Sequence, residues 1–109
     1  MNANAKKWVE ALRSGKYEQT TGSLTTPSRD KFCCLGVACD LYAKEHGKPK
    51  FRNQGLLPKY TKEWLGLQTS DGFHDVGSYS VSLAEMNDEG SSFAEIADRI
   101  EAEPDGLFA

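Results

Sequence analysis

The sequence predicts a mostly α fold, with α+β as the alternative. It indicates one compact domain over residues 1–109 that holds four to five short helices and a small β hairpin. Apolar residues recur at helical spacing in several segments, and each segment is bounded by capping residues or by glycine. Strand signals are confined to two short stretches. A chain of 109 residues can bury one core without disulfides or a structural metal.

The first helix is predicted near the N-terminus. Its apolar positions, at i, i+3, i+4 and i+7, are Ala5, Trp8, Val9 and Leu12. Asn2 or Asn4 is placed to cap the start of this helix, and Gly15 is placed to end it. Residues 16–26 are rich in threonine, a β-branched residue, and therefore predict one or two short strands.

The second helix is predicted from the run FCCLGVACDLY at 32–42, which contains all three cysteines. We expect it to begin at Asp30 or just after it and to end at Gly47. Its apolar surface is wide, which is typical of a central helix that is covered on more than one side. Gly36 costs about 1 kcal/mol of helix propensity, so we expect another backbone to approach it closely.

Three shorter helices are predicted in the rest of the chain. One begins with Pro58 in its first position and ends at Gly66. A serine followed three residues later by a glutamate, at 82 and 85 and again at 92 and 95, forms a capping box that begins each of the other two. Residues 68–80 predict a turn at Asp71 and Gly72, followed by a short irregular strand.

Charge and cysteine usage limit the function classes. The net charge of −3 argues against binding that depends on phosphate contacts, so nucleic acid is not an expected partner. No apolar segment approaches the length of a membrane span, and the polar N-terminus lacks the apolar stretch of a signal peptide. The cysteines cannot form an unstrained pair and indicate free thiols in a reducing compartment. We therefore expect a cytoplasmic protein that does not bind membranes.

The cysteines permit two interpretations. As small buried hydrophobic residues, they fit the leucines and valines around them. As a nucleophile, Cys34 would belong to a set whose order resembles the oxyanion, nucleophile, base and orienting residues of papain-like hydrolases. That set is Gln19, Cys34, His74 and Asn87. The buried interpretation is favoured because papain-like enzymes place the base on a multi-stranded sheet, and strand signals are sparse here.

No metal or cofactor is expected. The spacing of Cys33, Cys34 and Cys39 lacks the paired Cys-x2-Cys pattern of structural zinc, and adjacent residues on a helix diverge by about 100°. The carboxylates of the C-terminal helices lack a calcium-binding loop pattern and indicate a solvated face.

A polar stretch after the first helix is the candidate ligand site. Its hydroxyls and amides can bind a phosphate or another polar group, with Arg29 supplying a guanidinium fork; the alternative is a surface hairpin. The predicted ligand-binding residues are Tyr17, Gln19, Thr20, Thr21, Ser23 and Arg29.

Two sequence blocks carry a resemblance to small uncharacterised proteins of tailed bacteriophages and prophages. They are FCCLGVACDLY at 32–42 and LAEMNDEGSSFAEIAD at 83–98. The resemblance implies a phage origin and an accessory role in the cytoplasm of an infected bacterium. The histidines are not part of the family pattern, which weakens the hydrolase interpretation.

The leading hypothesis is an accessory protein that binds a host protein or a small molecule without catalysis, alone or as a homo-oligomer. One specific form is a protein that sequesters a nucleotide immune signal. The first alternative is a small papain-like hydrolase that uses Cys34. The second is a nucleic-acid-associated regulator that uses the basic edge at 44–62.

Overall fold

The computed structural model describes residues 1–47 and 53–109. Within these residues the chain forms five helices and two small two-stranded sheets, so the predicted mostly α architecture is confirmed. The elements are α1 (Ala3–Arg13), β1 (Glu18–Gln19), β2 (Lys31–Phe32), α2 (Cys34–His46), α3 (Lys59–Leu65), β3 (His74–Asp75), β4 (Ser80–Val81), α4 (Leu83–Asp88) and α5 (Phe93–Glu101). None of the described helices is both long enough and apolar enough to cross a bilayer.

Helix α1 packs against α5 and α2 through the apolar face that its sequence predicts. The side chain of Asn2 caps it by accepting a hydrogen bond from the Ala5 amide at 2.8 Å. Trp8 is fully buried, and its indole Nε1 donates to the Cys34 carbonyl at 2.8 Å. This bond satisfies the polar atom of the largest buried side chain and fixes α1 to the start of α2.

Helix α2 is the centre of the fold, as its wide apolar surface predicts. Its first six residues, Cys34 through Cys39, are all buried, and α1, α3 and α4 pack around it. It begins at Cys34, later than Asp30, because Lys31 and Phe32 are extended in β2. Cys33 is the N-cap, and its sulfur accepts a hydrogen bond from the Gly36 amide at 3.3 Å.

The expected close backbone approach at Gly36 is confirmed. A Cβ on Gly36 would lie 1.8 Å from the Leu24 carbonyl oxygen. That oxygen also accepts a hydrogen bond from the Cys33 amide at 3.1 Å. The segment that contains Leu24 therefore lies directly on the first turn of α2, where only glycine leaves room for it.

The β structure differs from the prediction in position and direction. Strands β1 and β2 pair in parallel, because the chain between them loops back before the second strand, and they do not form a hairpin. The hairpin is formed instead by β3 and β4, in the segment where the sequence predicts an irregular strand; His74 pairs with Val81 there.

The short helices begin close to the predicted positions. Pro58 is the N-cap of α3 and not its first residue, because its backbone is extended with a ψ of 151°. Ser92 and Glu95 form both bonds of a capping box at α5. At α4 the Ser82 hydroxyl accepts from the Glu85 amide at 3.0 Å, but the Glu85 carboxylate contacts the Ser82 hydroxyl and not its amide.

The C-terminal tail completes the core. Leu107 is fully buried, and its carbonyl accepts from the Gln68 amide at 3.0 Å. The amide of Ala109 donates to the Gly66 carbonyl at 2.8 Å. The tail therefore lies along the end of α3 after a turn at 105–107.

Candidate functional site

The Cys34 thiol lies inside the core. Its side chain is 0% exposed, and its sulfur lies 3.6 Å from the Leu83 carbonyl oxygen. Burial raises the pKa of the Cys34 thiol well above its ordinary value. Burial also raises the pKa of Cys33, and that of Cys39 to about 12. The position of Cys34 at a helix start does not produce a thiolate, because loss of solvation outweighs the helix dipole.

His74 holds the hairpin to α5. Its Nδ1 lies 2.7 Å from the Gly72 carbonyl oxygen, and its Nε2 lies 3.0 Å from Nη1 of Arg99. A carbonyl can only accept and a guanidinium can only donate, so we infer that the proton is on Nδ1 and that Nε2 accepts. Both nitrogens are used, and neither is bonded to the thiol of Cys34.

The other residues of the predicted hydrolase set meet at the buried side chain of Asn87. Its Oδ1 accepts from Nε2 of Gln19 at 2.8 Å and from the backbone amide of Cys34 at 3.0 Å. Its Nδ2 donates to the Thr20 carbonyl at 2.8 Å. The structure thus brings Gln19, Cys34 and Asn87 together through the main chain of Cys34. The arrangement joins β1, α2 and α4.

Most of the polar stretch at 19–23 contacts α4 and its own loop. Besides Asn87, Nε2 of Gln19 reaches the Ser91 carbonyl at 2.8 Å. The Gly22 amide donates to the Asp88 carboxylate at 2.9 Å, and the Ser23 hydroxyl donates to the Thr25 carbonyl at 2.8 Å. Thr21 is exposed. The ligand-binding role of this stretch stays a prediction.

A cleft of about 740 Å³ lies among α1, the turn before β2, and α2. Two of the predicted ligand-binding residues, Tyr17 and Arg29, line it. Clefts of this volume are typical of small-ligand sites in proteins. The cleft is therefore the candidate functional site.

One wall of the cleft is held rigid by a polar trio. The Tyr17 hydroxyl donates to the Asp40 carboxylate at 2.5 Å, and the Lys44 ammonium lies 3.0 Å from the same carboxylate. The Lys44 ammonium also lies 5.4 Å from the centre of the Tyr17 ring, whose edge meets Phe32. Burial, followed by the hydrogen bond to Asp40, raises the pKa of Tyr17, so this phenol remains a neutral donor.

Arg29, which also lines the cleft, lies in a turn that its neighbours stabilise. Arg29 has a φ of 59°, in the left-handed region that residues other than glycine seldom occupy. Its amide donates to the Thr26 carbonyl at 2.9 Å. The Asp30 carboxylate accepts from the hydroxyls of Ser28 at 2.6 Å and Thr26 at 2.8 Å, which lower the pKa of Asp30. The turn therefore fixes the backbone position from which the Arg29 side chain extends.

The charge of the cleft is mixed, with a slight positive excess. Its lining contains four basic residues, Lys7, Lys16, Arg29 and Lys44, and three acidic residues, Glu10, Asp30 and Asp40. Lys7 is paired with Glu45 outside the cleft at 3.5 Å, and Lys44 is paired with Asp40. Within residues 1–47 and 53–109 the ammonium of Lys16 has no such partner. Lys16 can therefore bind an anionic group, and the guanidinium of Arg29 lines the same cleft.

Sequence reasoning missed Lys16, Asp40 and Lys44 as residues of the site. Asp40 is the acidic residue inside the apolar cysteine run, and Lys44 follows it at the i,i+4 spacing of a helical ion pair. This charged pair on a mostly apolar helix could have identified Asp40 and Lys44 as residues of the site. The described residues hold no group of three side chains that could bind a metal ion.

Comparison with known proteins gives one match. A family model described as a domain of unknown function (DUF8296) matches residues 1–104. No curated protein and no solved structure matches the chain.

Proposed function

The chain belongs to the DUF8296 family, and on that premise we propose that it binds a small anionic ligand in the cleft without catalysing a reaction. The observation that supports this proposal is the geometry of Arg29. A turn closed by hydroxyl and backbone hydrogen bonds presents this residue to a cleft of small-molecule size. A guanidinium fork suits a phosphate or carboxylate group.

The chemistry of the other walls agrees with binding and not with nucleophilic attack. Tyr17 has a raised pKa and donates a hydrogen bond to Asp40, so its phenol stays protonated at neutral pH and does not act as a base. The thiols that the hydrolase alternative requires are buried among apolar residues. Lys16 and Arg29 are then the groups that attract the ligand, and Tyr17 supplies a rigid wall.

The proposal extends to the biological setting. The two sequence blocks at 32–42 and 83–98 support a phage or prophage origin, and with it an accessory role in the cytoplasm of an infected bacterium. In its specific form, the ligand is a nucleotide signal of the host's immune response, which the protein sequesters. A host protein as partner and a homo-oligomeric assembly remain predictions of the same hypothesis.

Thermal unfolding in the presence of candidate ligands tests the proposal. Inorganic phosphate, a nucleoside triphosphate and a cyclic dinucleotide are each added to the protein. A ligand present at about 100 times its Kd stabilises the native state by about 2.7 kcal/mol, which raises the Tm by roughly 10 °C. Absence of any shift with all three anions, with calorimetry also showing no heat of binding, would count against the proposal.

Substitutions of residues that line the cleft test whether the anion binds there. Arg29→Gln and Lys16→Ala should each weaken the binding at least tenfold, because one charge-assisted hydrogen bond contributes about 1.5–3 kcal/mol. Lys6→Ala is the matched control, since Lys6 is an exposed lysine on α1 and does not line the cleft. A loss in the control equal to that in Arg29→Gln would place the binding elsewhere.

A further inference from the structure

Four aromatic rings form a contiguous cluster where the end of α2 meets α3. We call Tyr42, His46, Tyr60 and Trp64 the aromatic platform. The rings of Tyr42 and His46 stack with centroids 4.0 Å apart and planes at 17°. Tyr60 lies 4.9 Å from Tyr42, and Trp64 meets Tyr42 edge-on at 5.4 Å. The imidazole is thus the end member of a stack.

The platform is accessible from solvent. Tyr60 is 38% exposed, and His46 is exposed as well. The Nδ1 of His46 lies 3.0 Å from the Tyr42 carbonyl, which can only accept, so that nitrogen donates. One face of the imidazole is covered by Tyr42, and a further planar group can stack on the exposed part of the ring. Trp64 is partly buried at the side of this stack.

The spacing of the rings and the charged residues beside them indicate which kind of partner the platform can bind. The rings touch one another, so a quaternary ammonium group cannot fit between them as it does in an aromatic cage. Lys59 and Lys62 flank Tyr60 on α3 and form no ion pair within the described part of the chain, whereas Glu63 is the one acidic residue of that helix. A partner that combines planar groups with negative charge matches this surface best.

We propose that the aromatic platform binds single-stranded nucleic acid, with unpaired bases stacked on the exposed rings of His46 and Tyr60 and phosphates near Lys59 and Lys62. Stacking on exposed aromatic rings tolerates any base, and flanking lysines follow the backbone. Duplex bases are already stacked on each other and cannot use the platform. This site is separate from the cleft and does not depend on the function proposed for it.

Binding of a labelled oligothymidylate of about 12 nucleotides, a length within the usual site size, tests the inference by fluorescence anisotropy. Tyr60→Ala and His46→Ala should each weaken binding about 5- to 160-fold, the range for loss of one stacked base. Tyr79→Ala is the matched control, because Tyr79 is 57% exposed but lies in the β3–β4 hairpin. The Lys59→Ala, Lys62→Ala double variant should reduce the slope of log K against log salt by about 1.4.

Three outcomes would overturn the inference. They are no saturable binding at about 50 mM salt, equal loss in Tyr79→Ala and Tyr60→Ala, or tighter binding of the matching duplex. Circular dichroism of each variant establishes that the fold is retained. The oligonucleotide titration measures the platform variants, whereas the thermal shift with small anions measures Arg29→Gln, so failure of this inference and failure of the cleft proposal can be told apart.

Discussion

Replacing Gly36 by alanine provides a test of how closely α2 packs. The added Cβ would lie 1.8 Å from the Leu24 carbonyl oxygen and 2.8 Å from its carbon, so one backbone must move. Movement strains the core by about 1–3 kcal/mol. It also weakens the buried bond from the Cys33 amide to Leu24, which costs a further 1–3 kcal/mol or so. Alanine returns about 1 kcal/mol of helix propensity, which leaves a net loss of about 3 kcal/mol.

Urea unfolding followed by tryptophan fluorescence measures this loss, because Trp8 is fully buried and donates to α2. With a slope of about 1–1.5 kcal/mol/M, the unfolding midpoint should fall by about 2–3 M. Gly55→Ala is the control: a Cβ at Gly55 meets nothing within 4 Å, and its free energy of unfolding should change by less than about 0.5 kcal/mol. The reasoning is refuted if Gly36→Ala is as stable as the parent, since helix propensity would then outweigh the contact with Leu24.

Four further predictions concern buried polar side chains and thiols. Asn87→Ala should lower the free energy of unfolding by about 3 kcal/mol, because it leaves the Gln19 amide and the Cys34 N–H without their acceptor; a loss below about 1 kcal/mol in urea unfolding would contradict this. Thr61→Val should raise the free energy of unfolding by about 1 kcal/mol, because the buried Thr61 hydroxyl has no nitrogen or oxygen partner among the described residues and meets only the thiol of Cys39, a weak hydrogen-bonding group; an unchanged or lower Tm would show that this hydroxyl is satisfied. The Cys39 thiol, whose pKa is raised from 9.0 to about 12, should destabilise the fold as the pH rises between these values, because the unfolded chain loses its proton first. Cys39→Ala should therefore flatten the decline of stability above pH 9 by up to about 1.4 kcal/mol per pH unit. Thiol labelling at neutral pH should be slow for all three cysteines and accelerate in urea; rapid labelling of one in the native protein would support the hydrolase alternative.

Local signals predicted most of the helices. Asn2 caps α1, Gly66 ends α3 in the left-handed conformation, and Ser92 begins α5, because each of these depends on a few neighbouring residues. The start of α2 was less predictable. A cysteine sulfur as N-cap is unusual, and the pairing of β2 with β1 takes up the residues before it.

The candidate site was predicted only in part, because its residues converge through tertiary packing. Tyr17 and Arg29 were identified by their chemistry, but the contact between Tyr17 and Asp40 spans 23 positions of sequence. Gln19 illustrates a contact that the sequence did not predict. Its amide donates to Asn87, 68 positions away, and its ligand-binding role stays a prediction. Polar character alone does not distinguish an outward side chain from one that joins two elements.

The C-terminal tail has a practical consequence for where the folding unit ends. The family match stops at residue 104, yet the side chain of Leu107 is wholly buried, and Phe108 forms a β-bridge with Leu67. Removing these last residues would open a leucine-sized hole beside α3 and leave the Gly66 carbonyl without its donor, the Ala109 amide. A recombinant fragment trimmed to the family boundary should therefore be prone to aggregation. A purification tag fused after Ala109 needs a linker that preserves the contacts of the tail with Gly66 and Leu67.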